Sequence, residues 1–240
     1  MPSSPPDLSP DPLGWLEGLE GVPSAFAATR DGIDALLRDR GLRRSTPEQT
    51  ADSLLRGAHA SAVLEGSGST LEQVRDGGGD APAQAAVRVS TELLGLVPVL
   101  GRSPLQALAR IHALTGAADP GRPTTPEAAS RLQSLGQAVV ATRVPALLVA
   151  SLVHAEVVAA APFSAHNGLV ARAAERLVLV ARGVDPASLV VPEAGHLALR
   201  AEYESNLRGY AGGTRAGLHA WLLYAAEAHA RGAEASPLRR

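Results

Sequence analysis

Hydrophobic positions recur along this chain at helical spacing, and clear start and stop signals bound the segments that carry them. Residues 23–40 place Phe26 and Ile33 on one apolar helical face. From Thr46 the sequence TPEQ offers a hydroxyl N-cap, a proline at the first helical position and an acid in the first turn. These signals predict a second helix that runs to about Glu65.

The same helix start and stop signals recur up to the end of the chain. It predicts further helices over 103–114, 125–135, 145–160, 167–183, 192–210 and 214–230. Alternating β-branched residues bounded by hairpin turns, the mark of strands, do not occur. We therefore predict an all-α protein of about eight or nine helices. Residues 46–232 are expected to form one helical domain, 1–45 a partly disordered N-terminal extension with one short helix, and 233–240 a flexible tail.

Composition and charge exclude several classes of partner. The 22 basic residues are all arginine, they are scattered along the chain, and the net charge is −2, so a nucleic-acid partner is not expected. The longest apolar stretch, 144–160, is interrupted by His154 and Glu156 and is shorter than the roughly 20 residues of a membrane span. The proline-rich start is unlike a secretion signal, and the chain has no cysteine, so we expect a cytoplasmic location.

The stretch APFSAHNGLVAR, residues 161–172, joins two predicted helices. It resembles the central motif of the Fic (Fido) family, His-Pro-Phe-x-(Asp/Glu)-Gly-Asn-Gly-Arg-x-x-Arg, whose members mostly transfer AMP from ATP to a protein hydroxyl. The resemblance extends over roughly residues 47–230 and implies a Fic-like helical bundle. The positions that match the motif are Pro162, Phe163, Asn167, Gly168 and Arg172.

Four departures from the motif affect its chemistry. Ala161 stands at the position of the family's catalytic histidine, and Ala165 at that of its magnesium-binding acid. His166 replaces the first glycine, and Leu169 replaces the first arginine. The resemblance therefore predicts no catalytic residue and no metal ligand in the loop. The alternative, His166 as a displaced base, is disfavoured because its position is five residues beyond that of the family's base.

A second short motif lies in the N-terminal half. SAVLEG, residues 61–66, resembles the family's inhibitory helix (Ser/Thr)-x-x-x-Glu-(Gly/Asn), whose glutamate pairs with the last arginine of the central motif. The resemblance implies an inhibitory-type ion pair between Glu65 and Arg172, bidentate if buried. Ser61 and Glu65 are four residues apart on one helical face, and Gly66 can adopt the left-handed conformation that ends a helix.

The remaining candidates concern nucleotide and metal binding. Asn167 and Gly168 at a helix N-terminus, with Arg172, could bind the phosphates of ATP or another nucleotide; the alternative is that Asn167 only caps the helix. Magnesium is not expected without an acid at Ala165. His154 is expected in the core, bonded to backbone or to Ser151.

The other histidines show neither metal-ligand spacing nor a common cluster, so no metal site is predicted. The 115–125 segment, TGAADPGRPTT, is so short that the family's β-hairpin flap is expected to be short or absent.

Three functions remain open from the sequence. The first is a catalytically degenerate Fic-like domain that regulates by binding a nucleotide or a protein partner. The second is an enzyme, a divergent nucleotidyl transferase with Asn167, Gly168 and Arg172 around the phosphates. The third is a structural interaction protein, for which a homodimer is the simplest assembly.

Overall fold

The structure is a computed structural model that describes residues 11–40 and 45–239, so the disorder expected for residues 1–10 lies outside the described residues. Over the described ranges the all-α prediction is confirmed: the chain forms twelve α-helices, two 3-10 helices (Gly14–Gly18 and Leu94–Leu96) and no strand. The α-helices are α1 Val22–Arg40, α2 Pro47–Leu64, α3 Leu71–Arg75, α4 Ala81–Leu93, α5 Val97–Arg102, α6 Pro104–Leu114, α7 Pro126–Ala141, α8 Ala146–Ala160, α9 Asn167–Ala181, α10 Pro192–Ala198, α11 Arg200–Ala211 and α12 Arg215–Glu234.

The helices outnumber the predicted eight or nine for local reasons. The segment predicted as one helix over 192–210 divides at Leu199, which has φ −114° and ψ 40° and carries no proline or glycine signal. The short helix α3 forms inside a glycine-rich stretch because Thr70 and Gln73 make a reciprocal capping box. Helices α4 and α5 have no matching prediction.

Helix starts with a hydroxyl cap are where the sequence predicted them. At α2 the Thr46 hydroxyl accepts from the Gln49 N–H, and the Gln49 side chain accepts from the Thr46 N–H at 3.0 Å. Thr125 caps α7 and Thr214 caps α12 in the same way through their side chains. These caps satisfy N–H groups that a helix leaves without intrahelical partners.

One hydrophobic core includes elements from both ends of the described chain. Phe26 and Ile33 of α1 are buried in it, and the Thr29 hydroxyl donates to the Ala226 carbonyl of α12 at 2.9 Å. Helix α1 is therefore part of the domain and not a separate extension. At the other end, α12 continues to Glu234 and Leu238 is buried, so residues 233–239 are packed and the prediction of a flexible tail is wrong for them.

Helices α10 and α12 approach each other closely through glycines. A Cβ placed on Gly195 would overlap the Ala228 carbonyl oxygen, and the Val191 N–H donates to the Gly232 carbonyl at 3.0 Å. Only residues without a side chain allow backbones to come this near. The contact brings the histidine of each helix towards the centre of the molecule.

The stretch 81–102 is long and apolar enough to cross a membrane by composition. It is interrupted by the 3-10 turn Leu94–Leu96, and its apolar side chains, among them Val89 and Leu93, belong to the common core. Helix α8, predicted as a buried helix, is buried along most of its length.

Candidate functional site

The loop between α8 and α9 is held in shape by Asn167. The Asn167 side-chain oxygen accepts from the Phe163 N–H at 2.9 Å, and its amide nitrogen donates to the Phe163 carbonyl at 2.8 Å. Two residues in left-handed backbone, Ala161 (φ 39°) and His166 (φ 59°), bound the loop. His166, not Asn167, occupies the N-cap position of α9, so the N-cap hypothesis for Asn167 is wrong. Its carboxamide is engaged within the loop.

The 115–125 segment lies against this loop. The Thr124 N–H donates to the Pro162 carbonyl at 2.8 Å. The Gly121 N–H donates to Nδ1 of His112, whose ring stacks on Phe163 with centroids 4.2 Å apart. The segment forms turns and no strand, in agreement with the expectation of a short or absent flap hairpin.

The structure brings Glu65 and Arg172 into contact. Nη2 of Arg172 donates to Oε1 of Glu65 at 2.6 Å. Of its other nitrogens, Nε donates to the Ser61 hydroxyl at 2.8 Å and Nη1 to the Tyr203 hydroxyl at 3.1 Å. The pair is therefore not bidentate as expected, because the guanidinium divides its donors among three side chains. Arg172 is only 2% exposed, whereas the Glu65 side chain keeps 22% of its surface. Gly66 follows with φ 91°, the left-handed conformation that its glycine permits.

Gly168 allows the Glu65 carboxylate to approach the start of α9. A Cβ on Gly168 would lie 2.6 Å from Glu65 Oε1 and 3.1 Å from Arg172 Nη1. The N-terminus of a helix carries a partial positive charge that favours an anion within the first turn. Glu65 thus supplies a negative charge in the region where the sequence predicted a phosphate.

Burial and neighbouring charges act in opposite directions on this arginine. Burial opposes the charged form, but the neighbouring Tyr203 and Glu65 raise the pKa of Arg172 above its usual value. Burial in turn raises the pKa of the Tyr203 hydroxyl, although Arg172 partly offsets this effect. The tyrosine is consequently a neutral acceptor for the guanidinium.

The positions that depart from the Fic motif differ in their exposure to solvent. Ala161 and Ala165 are exposed methyl groups, and Leu169 is buried in the core at 2% exposure. His166 is half-buried, one residue before the helix and five beyond Ala161. The two positions that align with the motif's histidine and acid therefore present only methyl groups to solvent.

A buried polar cluster lies behind the loop, and the sequence analysis missed it. The Oε2 atom of Glu175 in α9 is 2.8 Å from Nδ1 of His154 in α8 and 2.8 Å from Nε2 of His196 in α10. The other carboxylate oxygen, Oε1, is 3.4 Å from Nε2 of His229 in α12. All four side chains are at most 1% exposed. The expectation that the histidines share no cluster is wrong. The three helices that carry His154, His196 and His229 are far apart in the sequence, but they pack around α9 and bring the rings to Glu175.

The partners of His154 also differ from the prediction. The core location is as expected, but its ring bonds to Glu175 and to the Tyr203 hydroxyl at 2.9 Å, not to backbone or Ser151. Ser151 instead lies 3.2 Å from His229 Nε2. One signal was available in the sequence: Glu175 is the acid among three charged residues, with Arg172 and Arg176, in the otherwise apolar stretch 169–179 of α9.

Burial and mutual contact set the charges in this cluster. Burial lowers the pKa of both His154 and His229 to about 4. Burial alone would raise the pKa of Glu175, but the charge and hydrogen bonds of His196 and His154 hold it well below its usual range. Glu175 is thus a buried carboxylate surrounded by imidazoles.

Comparisons with known proteins address the fold. No protein-family model and no curated protein matches the chain. Among solved structures, the chain is similar to a Fic family protein from Desulfovibrio desulfuricans G20, with a TM-score of 0.72 and 18% identity over 88% of this chain and 73% of that one.

A fragment of Fic-1 from C. elegans also matches, with a TM-score of 0.66 and 16% identity over 89% of this chain and 71% of the other. A form of the same fragment with a glutamate-to-glycine substitution matches with a TM-score of 0.67 and 17% identity, over 89% of this chain and 72% of that one. At these identities the matches establish architecture and leave activity open. The helical scaffold, the clamped loop and these matches together give the conclusion that the chain has the Fic fold.

Proposed function

We propose that this chain is a catalytically degenerate Fic-like domain that does not transfer AMP and acts as a regulatory binding module. The observation that carries the proposal is the state of Arg172. It is 2% exposed, and Ser61, Tyr203 and Glu65 accept its hydrogen bonds. A phosphate would have to displace Glu65 to reach it.

The loss of the reactive groups supports the same proposal. In Fic enzymes, the resemblance implies, a histidine at the position of Ala161 accepts a proton and an acid at the position of Ala165 binds magnesium. A methyl group does neither, and a positioned general base contributes a factor of about 10² to 10⁴. Asn167 is committed to Phe163 within the loop, so it supports the fold of the site without being free for a ligand.

A protein partner is the favoured ligand class for the resting state, because the charged groups that would bind phosphate are occupied internally. Nucleotide binding, in this proposal, depends on release of Glu65. The cytoplasmic location expected from the sequence is part of the same proposal.

Two measurements test the proposal. The first is thermal unfolding with ATP, ADP and AMP, with and without magnesium, since a ligand that binds the folded state stabilises it by about 2.7 kcal/mol at a concentration 100 times its dissociation constant. We expect no shift for the wild type and a concentration-dependent shift for Glu65→Gly. Glu72→Gly, on an exposed position of α3, is the matched control and should behave as the wild type.

The second measurement is transfer of labelled AMP from ATP to the chain itself or to proteins of a lysate. We expect no labelling for the wild type or for Glu65→Gly. Robust labelling that disappears in Asn167→Ala would overturn the proposal and establish the divergent transferase instead.

A further inference from the structure

We propose that Glu175, His154, His196 and His229 form a closed structural site for one divalent transition-metal ion of the zinc class. The four side chains come from α9, α8, α10 and α12, and each histidine approaches the carboxylate of Glu175 in the core. This inference is independent of the proposed function, and it concerns a different place from the motif loop.

The distances suit a small four-coordinate ion. Oε2 of Glu175 is 2.8 Å from His154 Nδ1 and from His196 Nε2, and one ligand atom from each of these three residues lies within 4.8 Å of the others. Metal–ligand bonds of about 2.0–2.2 Å in a tetrahedron place neighbouring ligand atoms roughly 3.3–3.6 Å apart. An outward shift of about half an ångström makes room for the ion.

The fourth ligand atom would be Nε2 of His229, whose other neighbour is the Ser151 hydroxyl at 3.2 Å. Among the described residues, Glu175 Oε1 and His229 Nδ1 are buried and have no hydrogen-bond partner. His229 Nε2 is 3.4 Å from Oε1, which is long for a hydrogen bond and close to the separation of two ligands on one zinc ion. A buried carboxylate oxygen without a donor costs free energy that coordination would recover.

A bound cation would also neutralise the charge of the Glu175 carboxylate. Glu175 is fully buried, and an ionised carboxylate in the core is stable only with compensating positive charge. The buried guanidinium of Arg172 directs its hydrogen bonds to Ser61, Tyr203 and Glu65. A divalent cation at the centre of the imidazoles would compensate Glu175 directly.

The outer nitrogens of two rings are fixed by tyrosines. His154 Nε2 is 2.9 Å from the Tyr203 hydroxyl, and His196 Nδ1 is 2.9 Å from the Tyr224 hydroxyl. Such outer contacts set which ring nitrogen faces the ion, as they do around known zinc sites.

The surroundings favour a structural ion over a catalytic one. The Trp221 ring is fully buried and stacks parallel to His196, at 6.2 Å between centroids. No ligand in the cluster is open to solvent, and a catalytic zinc ion needs an open position for water or substrate. A donor set of three imidazoles and one carboxylate suits zinc, with nickel and copper as competitors.

The test is the metal content of the protein. The chain is purified with an affinity tag free of histidine, and bound metals are measured by mass spectrometry. We expect about one zinc ion per chain. His196→Ala and His229→Ala should fall to near zero, while His219→Ala, whose ring lies outside the cluster and contacts the Glu20 carbonyl, should keep the ion.

A second measurement uses wild-type protein alone, so that the proposal can be tested even if the histidine variants do not fold. Wild-type protein is unfolded in denaturant with a chelator and refolded without metal, with Zn²⁺ or with Co²⁺. We expect a higher melting temperature with Zn²⁺ and the visible absorption bands of tetrahedral cobalt with Co²⁺. Wild-type protein that contains no metal and refolds to the same melting temperature with and without Zn²⁺ would overturn the proposal and leave hydrogen bonds alone in the cluster.

Discussion

At the scale of single residues, small side chains decide what can lie near the start of α9. Gly168 has no Cβ, and that absence admits the Glu65 carboxylate next to the Arg172 guanidinium. The resemblance predicted the ion pair of Glu65 and Arg172, but not that the missing side chain of Gly168 leaves the space for the carboxylate. The contact joins Glu65 to Gly168 and Arg172, both of which are more than 100 positions away in the sequence.

Gly168→Ala is expected to displace Glu65 and destabilise the fold. The new methyl group would lie 2.6 Å from Glu65 Oε1, and overpacking of this kind costs about 1–3 kcal/mol. Denaturant unfolding measures the change. Gly95→Ala, where a Cβ meets no atom within 4 Å, is the control and should be close to neutral.

A double-mutant cycle tests whether the cost of Gly168→Ala comes from its contact with Glu65. If Glu65 is the obstacle, Gly168→Ala should cost less in a Glu65→Ala background, because the two changes affect one contact. Equal costs in both backgrounds would show that the methyl group is accommodated without moving Glu65.

At the scale of elements, the 66–80 segment shows a loop that is ordered by one carboxylate. Asp80 caps α4 through the Ala83 N–H at 3.2 Å and accepts from the Ser67 hydroxyl at 2.7 Å and the Gly68 N–H at 3.0 Å. It therefore connects the segment that follows α2 to the start of α4.

Asp80→Ala should lower the melting temperature near neutral pH. The hydrogen bond from Ser67 is the main cause that lowers the pKa of Asp80 below its ordinary value of 3.8. A carboxyl group with a lowered folded-state pKa stabilises the fold above its ordinary pKa, and this stabilisation is lost as the pH falls through the folded-state value.

The difference in melting temperature between wild type and Asp80→Ala should consequently narrow as the pH is lowered past 3.8. Asp119→Ala, an exposed aspartate of the 115–125 segment, is the control and should show little change at any pH. A difference in melting temperature between wild type and Asp80→Ala that stays constant down to strongly acidic pH would contradict the assigned role of Asp80.

The sequence predicted elements better than it predicted their contacts. Thr46, Thr125 and Thr214 mark helix starts because a cap is a local interaction. The break at Leu199 and the convergence of the histidines around Glu175 have no local signal. They result from how whole helices pack, and a single sequence does not specify that directly.

At the scale of the whole molecule, α1 and the end of α12 pack into one core, so we expect the described chain to unfold as a single cooperative unit. Asp11 adds a link, since its carboxylate accepts from the Thr142 hydroxyl at 2.7 Å and from the Arg143 N–H at 2.6 Å, between α7 and α8. The boundary at 45 expected from the sequence is not a boundary of the folded domain.

Ile33→Ala tests this cooperativity. Ile33 is 0% exposed, and truncation of a buried isoleucine costs about 2–5 kcal/mol. We expect one unfolding transition at a lower temperature by calorimetry, with Asp31→Ala, exposed on the same helix, close to the wild type. An unchanged main transition with a separate early loss of helix would show that α1 is an independent extension.

The clamp that Asn167 places on Phe163 has a consequence for protein engineering. It fixes the backbone from within, and the neighbouring positions Ala161, Ser164 and Ala165 are exposed and small. Side chains introduced at these three positions would be held by the loop backbone in its present conformation, and they would not disturb the hydrogen bonds between Asn167 and Phe163. The loop is thus a ready acceptor for designed reactive groups.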